Sequence, residues 1–193
     1  SVKFDCKSNK RLMIYKRPFW DISKNKKYAA SLNFSRIKIK RPGYGYDGSN
    51  IDGDEEVLTI FDLHDDKLVY KITVNEILDK VNFDNPDKED IYLNHIVWSP
   101  CNKKLMTIFH YHNKKHEQKR TFPVLINIES NEIDLIYREG DFSHHTFIDQ
   151  NSILAYIKRN NNWHFAIWSK NIGWTQLKDS MPELDGHPTY VKF

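Results

Sequence analysis

The chain has 193 residues, of which 39% are hydrophobic and 13% aromatic, too apolar for a disordered segment and long enough for one domain with a real core. No stretch approaches the roughly 18 consecutive apolar residues of a spanning helix, and no basic-then-apolar signal segment opens the sequence. The formal charge is +3, with Lys and Arg spread along the chain rather than gathered into the basic, aromatic-interleaved stripe of a nucleic-acid binder.

Short β-branched and aromatic runs, separated by Asn, Asp, Lys and Gly turns, predict strands almost throughout. Residues 1–16 hold two of them, SVKFDC and RLMIYK, the outer half of a four-stranded unit. Residues 17–73 hold a full unit: FWDIS, the turn KNKK, YAASLNF, a long insertion, VLTIFDL, the turn HDD and KLVYKIT. The insertion carries the densest basic cluster, residues 36–41 (RIKIKR), whose alternation predicts one face of a strand, and then RPGYGY at 41–46. Residues 74–92 form a linker in which VNEILDKV (74–81) has a helical period. Residues 93–139 repeat the unit as LNHIVWSP, LMTIFHYH, FPVLINIE and IDLIYRE, and residues 140–180 repeat it as SHHTFID, SILAYIKR, WHFAIWSK and WTQLKDS. GHPTYVKF, within 185–193, opens a further unit.

His95, His144 and His187 mark equivalent positions, at intervals of 49 and 43 residues. Four antiparallel strands recurring every 40–50 residues or so are the signature of propeller blades. The expected fold is therefore all-β, a β-propeller fragment of about three full four-stranded blades with partial blades at each end. A β-sandwich is the alternative, but it does not require strands to recur in groups of four with the same turn chemistry. A propeller ring closes to remove its edge strands. The chain is thus expected to be part of a larger ring, or to complete one with another chain, and its open blade edges to self-associate.

In a propeller the first strand of each blade lines the central channel. Its start, the end of the second strand and the loop after it share one mouth. His95, His144 and His187 fall at the starts of three first strands, His110 and His112 at the end of a second strand, and Arg36 and residues 41–46 in a second-to-third loop. Neutral imidazoles converging with a carboxylate make a nest for a divalent metal. Asp185, two residues before His187, supplies the carboxylate and projects the same way on an extended strand. His145 points to the opposite side and reads as packing, as do His164, Trp98, Trp163, Trp168 and Trp174. His64 and His116 read as surface groups in a turn and a charged loop. Tyr44 and Tyr46 offer flat apolar faces with polar tips, suited to a sugar ring or to packing on the rim.

Other chemistry is missing. The sequence has no nucleophile elbow, no phosphate-binding Gly loop and no HExxH. Its acidic pairs, Asp54-Glu55-Glu56 and Asp65-Asp66, sit in turns and loops, which gives no glycosidase pair. Cys6 and Cys101 show no CxxC spacing, which fits reduced thiols in a cytoplasm.

At LNHIVWSP, FSHHTFI, DGHPTY, IFH, SLNFSR and RPGYGY the chain resembles the propeller family that includes oligogalacturonate lyases, and a related bacterial group of TolB-like propellers. The resemblance covers nearly the whole chain. It implies a seven-bladed ring with a divalent metal, typically manganese, held by histidines at the channel mouth. The metal grips a uronate carboxylate, a basic residue removes the neighbouring proton, and the glycosidic oxygen leaves by β-elimination. Carried over, His144 and His187 fall on metal-ligand motifs, with Asp185 where the family has a second histidine, and His95 falls at the reacting centre. Arg36, Arg41, Tyr44, Tyr46 and His110 would hold the anionic sugar. The family's arginine aligns near Val57, where no basic residue stands. The residues thus leave two functions open: a metal-dependent enzyme acting on an acidic oligo- or polysaccharide, and a non-catalytic binding or scaffold propeller. Neither reading calls for nucleic acid or a membrane.

Overall fold

Strands form along the β-branched and aromatic runs, and the turns between them are local enough for each run to pair with the next. The computed structural model describes residues 1–46, 56–81, 91–113, 118–177 and 185–189. The protein is all-β, with four antiparallel sheets and two short helices among the described residues. Strands β1 (Val2–Asp5) and β2 (Lys10–Ile14) pair alone. Strands β3 (Asp21–Ile22), β4 (Tyr28–Leu32), β5 (Glu56–Asp62) and β6 (Leu68–Thr73) form a four-stranded meander. A second meander comprises β7 (Tyr92–Trp98), β8 (Lys104–Asn113), β9 (Gln118–Asn127) and β10 (Glu132–Leu135). A third comprises β11 (Phe142–Phe147), β12 (Ser152–Arg159), β13 (Asn162–Ser169) and β14 (Gly173–Gln176).

The first turns of the β3–β6 and β7–β10 sheets share one chemistry. Ser23 Oγ accepts the Tyr28 N–H at 2.9 Å, and Ser99 Oγ accepts the Lys104 N–H at 3.1 Å. The two turns also touch, because the Asn25 N–H donates to Asn102 Oδ1 at 2.9 Å.

The three meanders stack face to face. On the middle sheet Leu105, Phe109, Phe122, Val124 and Ile126 pack toward the β3–β6 sheet, whereas Met106, Ile108 and Leu125 pack toward the β11–β14 sheet. Both faces are buried, which is why β8 reads as a continuous apolar run rather than an alternation. Polar links cross the same seams. The Trp98 N–H donates to Asp21 Oδ2 at 3.1 Å, and Trp174 Nε1–H to the Ile136 carbonyl at 2.7 Å. Strand β7 lies against β3 on one side and β11 on the other, so the first strands of the three sheets run side by side.

Helix α2 (Val74–Val81) follows β6, where the helical period predicts it. It starts with a capping box: the Glu76 N–H donates to Thr73 Oγ1 at 3.2 Å, and the Thr73 N–H to Glu76 Oε2 at 2.8 Å. Helix α1 (Phe34–Lys40) overturns the strand face expected for residues 36–41. Asn33 caps it by accepting the Arg36 N–H at 2.8 Å. Phe34 and Ile37, one helical turn apart, are both buried, whereas Ile39 stays 74% exposed. The residues of 185–193 that are described, 185–189, form no strand, and the rest of that expected strand lies outside the described residues, as do His116 and most of the acidic run at 54–56. Among the described residues no helix is long and apolar enough to cross a membrane.

Candidate functional site

Two irregular strands aim the first two histidines. The β7–β8 register shifts between Asn94 and Val97, and His95 has φ 54, the left-handed region that bulky side chains rarely adopt. The β11–β12 register shifts in the same way between Phe142 and His145, around His144. His95 and His144 therefore meet at the seam where β7 and β11 adjoin, and His187 joins them from the 185–189 segment. Their ring centroids lie 4.9 Å (His95–His144), 3.9 Å (His144–His187) and 5.7 Å (His95–His187) apart. One ring nitrogen from each falls within 4.8 Å of the others. Trp20 braces the His95 ring edge-on at 5.7 Å.

Protonation follows from this crowding. Burial pushes the His95 imidazole down to about 4, and the neighbouring His144, His187 and Arg41 add to the effect. Its Nδ1 is buried with no hydrogen-bond partner. Asp185 faces His144: Nδ1–H of His144 donates to Asp185 Oδ1 at 2.9 Å, and the Ser143 hydroxyl donates to Oδ2 at 2.7 Å. Burial raises the Asp185 carboxyl, but the hydrogen bonds from His144 and Ser143 outweigh it and hold the group below its ordinary value. A His144 that gives Nδ1–H to a carboxylate keeps its Nε2 lone pair for a ligand.

A cavity of about 460 Å³, within the usual size of a ligand pocket, opens over these groups. Its inner wall holds Tyr92, Asn94 and His110. The His110 ring stacks on Tyr92 at 4.4 Å, and its Nε2–H donates to Asn94 Oδ1 at 2.8 Å. Burial, with Arg41 and His95 nearby, pushes His110 down to about 3. One rim holds Lys40, Arg41 and Tyr44. The Arg41 guanidinium lies 4.0 Å over the Tyr44 ring and beside the Tyr92 hydroxyl. The loop carrying them turns at Gly43, φ +97, and packs at Gly45 so close to α1 that a Cβ there would fall on the Phe34 carbonyl and the Lys38 nitrogen.

Of the residues named from sequence, the cavity collects His95, His110, Arg41, Tyr44, His144 and Asp185. His187 reaches the cluster through its ring contacts. Arg36 and Tyr46 are placed elsewhere. Arg36 Nε–H donates to the Ile91 carbonyl, tying α1 to the start of β7, and Tyr46 stacks on Phe34 at 4.9 Å. His145 is buried behind Phe142, as its packing role requires. Trp163 departs from the expected core position: it is 38% exposed and lines the cavity. Asn94, Ser143 and Tyr92 escaped sequence reasoning, because strand alternation carries no signal for a bulge. No protein-family model matches the chain, and no curated protein matches it at a significant level.

Proposed function

We propose that the chain is a segment of a β-propeller whose channel mouth binds a divalent cation and an acidic oligo- or polysaccharide, as a metal-dependent, lyase-like enzyme. Three face-packed meanders with adjoining first strands support the propeller reading. The single observation that carries the function is the convergence of His95, His144 and His187 beneath a rim of cationic side chains.

Three imidazole donors suit a borderline divalent ion such as zinc, whereas manganese, a harder ion, is what the resemblance implies and would draw further oxygen ligands from water or substrate. His95 stays neutral and has an orphaned buried nitrogen, and Asp185 fixes the tautomer and aim of His144. On this geometry His95 is a third ligand rather than the acid or base that the sequence suggests, and Asp185 orients His144 from behind. A bound cation would supply Lewis-acid stabilisation for charge developing on a uronate carboxylate. Arg41, stacked on Tyr44, pairs with the anionic sugar at the rim.

A second reading, a non-catalytic saccharide-binding propeller, has its own support. Val57, where the lyase arginine would align, is 1% exposed in the core. His95 and His110 sit at about 4 and 3, far below the range of an effective general base at neutral pH.

Titration calorimetry with manganese, on the wild type and on a His144→Ala/His187→Ala variant, tests the site. Saturable binding lost in the variant is expected, and equal binding by both proteins would remove the assignment. Incubation with polyuronates then separates the readings. Growth of the ultraviolet band of an unsaturated uronide identifies the lyase. Binding without that band identifies the non-catalytic propeller.

A further inference from the structure

The cavity does not end at the histidines. Beyond His144 it runs past Asp141 and Arg120 to Lys119 and Trp163. Trp163 is the second residue of β13, which follows a two-residue hairpin loop, Asn160-Asn161, in which both residues have positive φ (50 and 64). That is the backbone of a tight, strand-matched turn, for which Asn is well suited. The indole lies flat on the ring of Tyr156, with centroids 5.2 Å apart and planes 13° apart, and Tyr156 is itself 5% exposed. One face of Trp163 is thus fixed against the core, while the residue as a whole remains 38% exposed at the cavity. A large aromatic held rigid at a polar cavity wall offers its free face to a flat apolar ligand surface. The wall beside it is cationic: Lys119 is exposed, and Arg120 is held in place by Asp141 Oδ1 at 3.2 Å and the Gly140 carbonyl at 3.3 Å.

We infer that Trp163 and Lys119 form a second sugar subsite, in which an acidic pyranose stacks on the indole and its carboxylate pairs with the Lys119 ammonium. This rests on the acidic-saccharide reading and deepens it. One sugar sits at the rim of Arg41 and Tyr44 over the histidines, and the next reaches Trp163. The ligand is therefore an oligosaccharide with charge on successive residues, and a monosaccharide fills only part of the site. A pyranose presents C–H groups on one face to an aromatic ring, and such a ring fixed in advance gives up little conformational entropy on binding.

Galacturonate mono-, di- and trisaccharides, titrated against the full chain with and without a chelator, test it. Wild-type affinity is expected to rise from mono- to trisaccharide, with quenching of tryptophan fluorescence. Trp163→Ala is expected to weaken trisaccharide binding about tenfold and to leave the monosaccharide unchanged. Trp163→Phe, which keeps a ring on Tyr156, should recover part of the loss, and Lys119→Gln should weaken only the longer ligands. Length-dependent binding that ignores the chelator would keep this subsite and sink the metal reading. Equal affinities for all three lengths, equal losses for all three in Trp163→Ala, or no binding of any of them by the wild type would overturn the inference.

Discussion

His145 is buried behind the ring of Phe142, and His110 is covered by the ring of Tyr92. Burial pushes both down to about 3, as it pushes His95 to about 4. In the folded chain all three stay neutral at pH 6, whereas in the unfolded chain each takes up a proton near the ordinary value of about 6.5. Between about 6.5 and about 4 the unfolded state therefore binds more protons, and stability falls as the pH falls. Above about 6.5 their contribution is complete. At about pH 4 each of them destabilises the fold by on the order of 3 kcal/mol, so that the three together cost about 10 kcal/mol. Thermal unfolding followed across this window should show a melting temperature that is flat above about pH 7 and declines below 6.5. His145→Gln, which cannot titrate, should lower the plateau but flatten the decline. A slope unchanged by that substitution would show that His145 is already charged in the fold.

At the scale of elements, α1 and the loop after it decide where Arg41 and Tyr44 stand. Gly45→Ala would drive a Cβ into the backbone of Phe34 and Lys38, so the loop has to lift from the helix. Most of the core side chains come from the strands themselves rather than from this loop. The expected result is at least a tenfold loss of uronide affinity, about 1.4 kcal/mol, with a melting temperature within a few degrees of wild type. Calorimetry and thermal melts on the same sample check both. This loop is also where sequence reasoning stopped. In RIKIKR the isoleucines alternate as in a strand, but the buried positions are Phe34 and Ile37, and the cap at Asn33 starts a helix that leaves Ile39 in water. The four-strand recurrence was readable because each meander is built from neighbours in sequence, joined by turns of repeated chemistry such as Ser23–Tyr28 and Ser99–Lys104. The equivalence of His95 and His144 was readable for the same reason. Their gathering at one mouth followed from that equivalence, but the bulges that aim the rings were not readable, because they break a period of two by one residue and leave no trace in composition. Trp163 was misplaced by the same limit, since nothing in WHFAIW tells a tryptophan near the start of a strand at a cavity from one inside a sheet seam.

Across the whole molecule the sheets differ in how well their faces are covered. The middle meander is buried on both sides, and its largest side chains, Trp98 and Phe109, are 1% and 0% exposed. The β1–β2 pair is the opposite case. Val2 pairs with Ile14, Phe4 pairs with Arg11 beyond a register shift, and Val2, Phe4, Leu12 and Ile14 are 55%, 49%, 59% and 57% exposed. A two-stranded sheet is marginal by itself in water, and four large exposed apolar side chains on so small a sheet favour association. The 193-residue chain is therefore expected to self-associate through this sheet as its concentration rises. Replacing Phe4 and Ile14 together by Lys adds charge to the sheet without touching the stacked core. Light scattering should then report a shift toward monomer, with an unchanged circular dichroism spectrum. If the double variant associates as strongly as wild type, the contact lies elsewhere.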